Sequence, residues 1–199
     1  MKPIVSEGAE ARIYRIELYG RRILVKRREP KRYRIKELDS SIREYRTRRE
    51  ATALARARSS GASVPRLVGV GRYDLYIEEI KGKTLSSALG IGSGAAREAG
   101  VQLAILHNAG IAHGDFTPAN LILSGKRVYV IDFGLSSLTT GSEERALDLL
   151  LMKRQLSRAE YSSFIRAYRS NAAEGNETLA RLREVEERGR YQKRTLSNI

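Results

Sequence analysis

Two carboxylates and one amide in this chain have the types and spacing that phosphoryl transfer requires. In His113-Gly114-Asp115-Phe116-Thr117-Pro118-Ala119-Asn120, a carboxylate is followed five residues later by an amide. Twelve residues further on, Ile131-Asp132-Phe133-Gly134 sets a second carboxylate beside a flexible glycine. Moving a phosphoryl group takes hard oxygen ligands for Mg2+ and a group that orients the acceptor hydroxyl. An Asn and an Asp furnish the ligands, and the other Asp furnishes the orienting carboxylate. A lone Asp in such a loop is more often a turn residue or a helix cap. The combination, split by two apolar runs, is far more specific.

Those runs, Leu121-Ile122-Leu123 and Val128-Tyr129-Val130-Ile131, are joined by Ser124-Gly125-Lys126-Arg127 and read as a hairpin. Ahead of the loop, Ala99, Leu103 and Leu106 stand at helical spacing in a helix expected over 95–108, with Gly110 ending it. A short helix is expected over 84–89. From Ser142 two more are expected, the second opened by a capping box from Ser157 to Glu160. The tail from Arg188 is expected to be mobile.

The first part reads differently. Ala11 to Leu18 alternates and Arg22 to Lys26 is a short β-rich run after the turn at Gly20. Two further strands are expected over 67–70 and 75–80. Between the pairs, Ser41-Ile42-Arg43-Glu44 has capping-box spacing and predicts a helix to about Ser59, with Ala51, Leu54 and Ala55 facing the core. Lys81-Gly82-Lys83 marks a joint. The fold class expected is therefore α+β and bilobal, with a small sheet-bearing lobe over 1–81 and a mainly helical lobe over 82–199.

Composition narrows the setting. The chain has 199 residues, enough for one core or a tight pair of lobes. There is no cysteine, which excludes disulfides and thiolate metal sites. No apolar run is long enough to span a bilayer, and the N-terminus lacks the apolar core of a signal peptide, so a cytoplasmic location is expected. The formal net charge is +14 and is concentrated: residues 21–49 hold 13 Lys/Arg against 4 Asp/Glu. Residues 181–199 hold 6 against 3. A solvated face explains many charges but not one sign, so an anionic partner such as RNA is favoured.

At this point the residues resemble protein kinases. The loop around Asp115 resembles the kinase catalytic loop, and Asp132-Phe133-Gly134 matches the metal-binding motif in full. The resemblance implies ATP and Mg2+ as cofactors, Asp115 as the catalytic base, and Asn120 and Asp132 as metal ligands. Leu24-Val25-Lys26 resembles the strand whose lysine holds the phosphates, and Lys26 would pair with Glu50, or failing that Glu44. Ser6, Gly8, Ala9 and Glu10 stand where the phosphate-covering loop belongs, with one glycine instead of three. Glu78 and Ile80 fall where the hinge would grip adenine. His113 would brace the loop, and His107 reads as a packing residue.

The departures from ordinary kinases are equally informative. Gly114 replaces the arginine that reads activation-loop phosphorylation. About 65 residues follow Gly134, without an Ala-Pro-Glu triplet, so much of the peptide-docking lobe is missing. With Lys31-Arg32-Tyr33-Arg34, Arg46 to Ala51 and Glu144 to Leu149, the chain resembles the small atypical kinase subunit of the KEOPS complex. That resemblance implies an ATPase and serine/threonine kinase acting beside a threonylcarbamoyl-transferase subunit and a small regulatory subunit. It also implies tRNA as the partner of the basic faces and the C-terminal tail. Three alternatives stay open: a small-molecule phosphotransferase of the aminoglycoside or choline kinase kind, a RIO-type kinase in ribosome maturation, and a pseudokinase scaffold. The first two usually lack the full Asp-Phe-Gly.

Overall fold

The computed structural model describes residues 4–8, 11–87, 91–138 and 141–196, apart from the side chains of Ser87 and of 189–196. Ala9 and Glu10 lie outside the described residues. Strands β1 (Ile4–Glu7), β2 (Ala11–Leu18), β3 (Arg21–Arg28), β4 (Leu67–Val70) and β5 (Asp74–Glu78) form one antiparallel sheet in the order β1-β2-β3-β5-β4. Tyr19 and Gly20, at φ 49° and 69°, make the two-residue turn between β2 and β3, the form whose twist suits a hairpin. Residues two apart on a strand share a face, so Ile23 and Val25 go one way while Lys26 and Arg28 go the other.

Helix α1 (Lys36–Ser59) lies on the face that Lys26 and Arg28 share. Its buried stripe runs through Thr47, Glu50, Leu54 and Ala57 at the i, i+3, i+4 spacing of an amphipathic helix. Two expectations fail here. The helix begins at Lys36, so Ser41 is interior and its hydroxyl donates back to the Glu37 carbonyl at 3.0 Å. Glu44, released from that capping role, pairs with Arg48 and Arg72 on the surface. Ala55 falls just past the edge of the stripe and is exposed, whereas Ala53 is buried. Glu37 and Asp39, in the first turn, oppose the positive end of the helix dipole in place of a capping side chain.

The second half packs helices around a small ribbon. Strands β6 (Lys83–Thr84), β7 (Leu121–Ser124) and β8 (Arg127–Val130) form a three-stranded sheet, with the 3-10 turn Leu85–Ser87 where a helix was expected. Gly82 sits so close to β7 that a Cβ there would meet the Leu123 carbonyl at 2.3 Å. Helices α2 (Gly92–Asn108), α3 (Ser142–Lys153), α4 (Arg158–Asn171) and α5 (Gly175–Leu196) complete the fold. Three helices thus follow Ser142, not two, and the last continues through the stretch expected to be a tail.

The capping box at Ser157 is present, and Glu160 also accepts the Gly92 N–H at 3.0 Å, tying α4 to the start of α2. Leu103, Leu106, Phe116, Leu121, Phe133, Leu149 and Phe164 are fully or nearly fully buried in one core beneath the loop that carries Asp115.

Candidate active site

The catalytic loop is held from below by a buried carboxyl. Asp148 on α3 is fully buried and accepts the His113 N–H at 2.7 Å and the Gly114 N–H at 2.9 Å. It also meets His107 Nε2 at 3.2 Å, while His107 Nδ1 faces the Tyr168 hydroxyl at 2.8 Å. A carboxylate only accepts, so Nε2 carries the proton and Nδ1 accepts from Tyr168. His107 is therefore a polar strut rather than simple packing. Burial pushes its pKa down, against the pull of Asp148.

A neutral His107 contributes stability that is present above the unfolded value of about 6.5 and is lost as pH falls below it. The thermal midpoint is expected to drop between pH 7 and pH 5, with a shallower drop in His107→Gln.

Gly114 has φ 79°, and a Cβ there would lie 2.4 Å from the Leu135 carbonyl. No side chain fits, which is the physical reason an arginine is missing from this position. Gly114→Ala is expected to destabilise by about 1–3 kcal/mol, read as a lower urea midpoint. His113 links the loop to the second motif: Nε2 donates to the Ile131 carbonyl at 3.0 Å, and its ring packs against Phe133 at 5.0 Å between centroids. The expected bracing role of His113 matches this placement.

Above this frame the predicted residues converge. Asn120 Nδ2 donates to the Asp115 backbone carbonyl at 2.9 Å and to its Oδ2 at 2.8 Å, fixing the carboxylate at the loop edge. Lys26 Nζ lies 2.7 Å from Glu50 Oε1 and 2.7 Å from Asp132 Oδ1. Glu50, not Glu44, is thus the partner on the helix. Asp132 adopts φ 62°, rare for a residue with a side chain, and its Oδ1 also accepts the Gly134 N–H at 3.1 Å. Burial alone would raise its pKa, but the Lys26 ammonium and the Gly134 N–H together hold it below the ordinary range.

Burial likewise works against the Lys26 charge, and Glu50 and Asp132 override it, so that pKa is raised. Lys26 is charged and paired, and its side chain is 12% exposed, which removes the reading of it as a surface cation.

A cleft of ≈ 350 Å3 lies over these groups, with Ser6, Gly8, Lys26, Asp115, Asp132 and Gly134 in its wall. Glu78 and Ile80 are not in that wall: the Glu78 N–H is taken by the Arg66 carbonyl, and β5 ends at Glu78. Three contributors were not found in the sequence. Asp148 stands in the run Glu144 to Leu149, where nothing in the local pattern marks it out. Arg28 holds the second oxygen of Glu50, Nη2 to Oε2 at 2.6 Å, with both side chains buried. Arg49 reaches across from α1 to the Ser136 carbonyl at 2.6 Å, just past Gly134. The i, i+2 spacing of Lys26 and Arg28 was the one available signal for Arg28.

Among the described residues no group of three His, Cys, Asp or Glu is placed to hold a metal. That fits Mg2+ in a kinase-type site, where one or two protein ligands are completed by substrate phosphates and water. The amide of Asn120 and the carboxylate of Asp132 are residue types that could serve as such a pair, and the charged Lys26 could meet phosphate, so the donor types fit ATP with Mg2+. Among the described residues no helix is long and apolar enough to cross a membrane.

Comparison with known proteins places the chain in a family. The RIO domain family matches residues 12–155. The chain is 37% identical to the KEOPS complex subunit Bud32 of Pyrococcus abyssi, over 96% of this chain and 97% of that protein. It is 38% identical to the "Probable serine/threonine-protein kinase BUD32 homolog" of Archaeoglobus fulgidus, over 94% and 95%. A "Probable bifunctional tRNA threonylcarbamoyladenosine biosynthesis protein" of Methanothermobacter thermautotrophicus is 36% identical, over 94% of this chain but 36% of that longer protein.

Among solved structures, the Rio2 kinase of Chaetomium thermophilum in its ADP/Mg2+-phosphoaspartate complex matches with a TM-score of 0.66 at 14% identity, over 92% of this chain and 70% of that one. WaaP in complex with acyl carrier protein matches at 0.61 and 17%, over 94% and 88%. At such identities these two show the protein-kinase-like fold, a β-sheet lobe and a helical lobe. The RIO reading, set apart in the sequence by the full Asp-Phe-Gly, is the broader family rather than a rival. This chain belongs to the Bud32 family of KEOPS-complex kinase subunits, within the RIO-domain kinases.

Proposed function

We propose that this chain is an ATP- and Mg2+-dependent phosphotransferase and ATPase that serves threonylcarbamoyladenosine modification of tRNA within a KEOPS assembly. The observation that carries the reading is Lys26 bridging Glu50 and Asp132, while Asp115, held by Asn120, lines the same cleft. Asn120 and Asp132 would hold Mg2+, and Ser6, Gly8, Ala9 and Glu10 would cover the phosphates. Glu78 and Ile80 would hold the adenine edge, with the two lobes meeting near residue 81. When bound, Mg2+ supplies charge neutralisation on the phosphate oxygens. The chain's own residues do the rest. Lys26 meets phosphate charge, and Asp115 orients the acceptor hydroxyl or water and takes its proton. Asn120 keeps that carboxylate in place.

The partners would be a threonylcarbamoyl-transferase subunit and a small regulatory subunit, with tRNA on the basic surface. With only seven residues between Gly134 and the start of α3 there is little segment to seat a peptide, so ATP hydrolysis is the activity that matters in the assembly and free protein phosphorylation is incidental. The test is reconstitution of tRNA threonylcarbamoylation with the partner subunits and this chain, wild type or Asp132→Ala. Loss of modified tRNA with the variant supports the reading. Full modification with the variant would leave the chain a scaffold.

A further inference from the structure

One exposed tyrosine stands where the fold gives it no reason to be. Tyr19 is 95% exposed at the tip of the β2–β3 hairpin, and its side chain makes no hydrogen bond or ring contact among the described residues. Its φ of 49° lies in the left-handed region, where a two-residue hairpin turn favours Asn, Asp or Gly. A bulky aromatic there is strained, and no burial offsets the strain. Strain and exposure together point to a function for the ring outside the fold.

The surroundings of the tip decide which function. Arg21 and Arg22 follow it directly on β3. The Arg22 carbonyl accepts the Glu79 N–H at 3.2 Å, and the Arg66 carbonyl accepts the Glu78 N–H at 2.9 Å. Arg66 and the end of β5 therefore lie beside the start of β3. From Glu79 the chain runs through Lys81 into β6, where Lys83 pairs with Leu123. Strand β7 then turns through Gly125 and Lys126 into β8, with Ser124 paired to Arg127. The register thus strings seven cations along one edge of the molecule, from the hairpin tip to the β7–β8 turn. All seven are exposed, and none makes an ion pair among the described residues. The carboxylates placed beside them by the pairing are Glu17, Glu78 and Glu79, and Arg15 takes Glu79 at 2.6 Å. None of the seven lines the ≈ 350 Å3 cleft, so the edge is separate from it.

Cations of one sign beside a free aromatic ring fit a nucleic acid better than an acidic protein. Carboxylates would use the cations and leave the ring unexplained. A nucleic-acid strand uses both, its phosphates meeting Lys and Arg while a base stacks on the flat ring. That base must be unpaired, in a loop or single strand, because a duplex hides its face. We propose that this edge binds single-stranded or loop RNA, with backbone phosphates along the cations and one base stacked on Tyr19. The proposal rests on the reading of RNA as this chain's partner and locates the contact; the ATP site stands without it.

Fluorescence anisotropy of a labelled RNA stem-loop, titrated with the full chain in the absence of nucleotide, tests it. Tyr19→Asn suits the turn, so its thermal midpoint is expected to equal or exceed that of the wild type. Its affinity for the stem-loop is expected to fall about tenfold, while Tyr19→Phe keeps the flat ring and binds as the wild type. Neither substitution is expected to change binding of a blunt RNA duplex, which offers no free base. Lys81→Ala/Lys126→Ala is expected to weaken both RNAs and to lower the slope of log affinity against log salt by about one. Arg32→Ala/Lys36→Ala removes equal charge beyond the other end of β3 and is expected to have a smaller effect. Stem-loop affinity unchanged in Tyr19→Asn would overturn the stacking contact, and equal losses in the two charge variants would overturn the edge as the site. Displacement of the stem-loop by polyglutamate at matched charge would overturn RNA in favour of an acidic protein. No stem-loop binding by the wild type would overturn the proposal, and ATP turnover by the same preparation shows whether the phosphotransferase reading falls with it.

Discussion

Asp132→Ala is expected to lower kcat/KM for ATP turnover by about a thousand-fold or more, some 4 kcal/mol of transition-state stabilisation. The size follows from how much converges on one carboxyl. Oδ1 takes the Lys26 ammonium at 2.7 Å and the Gly134 N–H at 3.1 Å, and Asp132 lines the cleft. Alanine deletes both the oxygens proposed to hold Mg2+ and the contact that positions Lys26 from below. Stability is expected to change far less, within about 1 kcal/mol, because Lys26 keeps Glu50 and the Asp132 side chain is half exposed. Steady-state kinetics paired with urea unfolding separates the two effects. A loss of turnover matched by loss of the folded state would not fit this account.

Asp148→Ala is expected to be the reverse case, a fold-breaking change at a residue that touches no substrate. It removes the acceptor of two backbone N–H groups and of His107, at a fully buried position. Leaving several buried donors unsatisfied costs about 3–5 kcal/mol, a large share of the stability of a domain this size. Asp148→Asn keeps an acceptor oxygen but replaces the other with a donor that faces an N–H, so an intermediate loss is expected. Denaturant unfolding of both variants checks the order. Equal stability of Asp148→Ala and wild type would show that the loop does not depend on this strut.

The residues proposed to react could be picked from the sequence because phosphoryl transfer restricts residue type and spacing within one short segment. Asp115, Asn120 and Asp132 are fixed by a loop and a ribbon that are themselves local, so periodicity placed them together. The pairing of Lys26 with Glu50 is long-range, and the sequence could rank Glu50 over Glu44 only through a capping box at Ser41 that does not form. The ranking holds for another reason: Glu50 lies on the buried stripe of α1 and Glu44 does not. Where a helix starts depends on what packs against it, and α1 starts six residues earlier than local capping suggested. Arg28 and Asp148 were hidden for the same cause. Each is one charged residue among many, and its role comes from burial, which composition does not record. Ala9 and Glu10 lie outside the described residues, so the covering loop stays part of the proposal.

The most direct test of the central claim is the initial rate of γ-phosphate release from ATP by the purified wild-type chain, with Mg2+ and with EDTA in its place. Turnover with Mg2+ that disappears on chelation is the result expected of a cleft lined by Lys26, Asp115 and Asp132, with Asn120 holding Asp115. Release that is indifferent to chelation, or no release from a chain shown to bind the nucleotide, would contradict it.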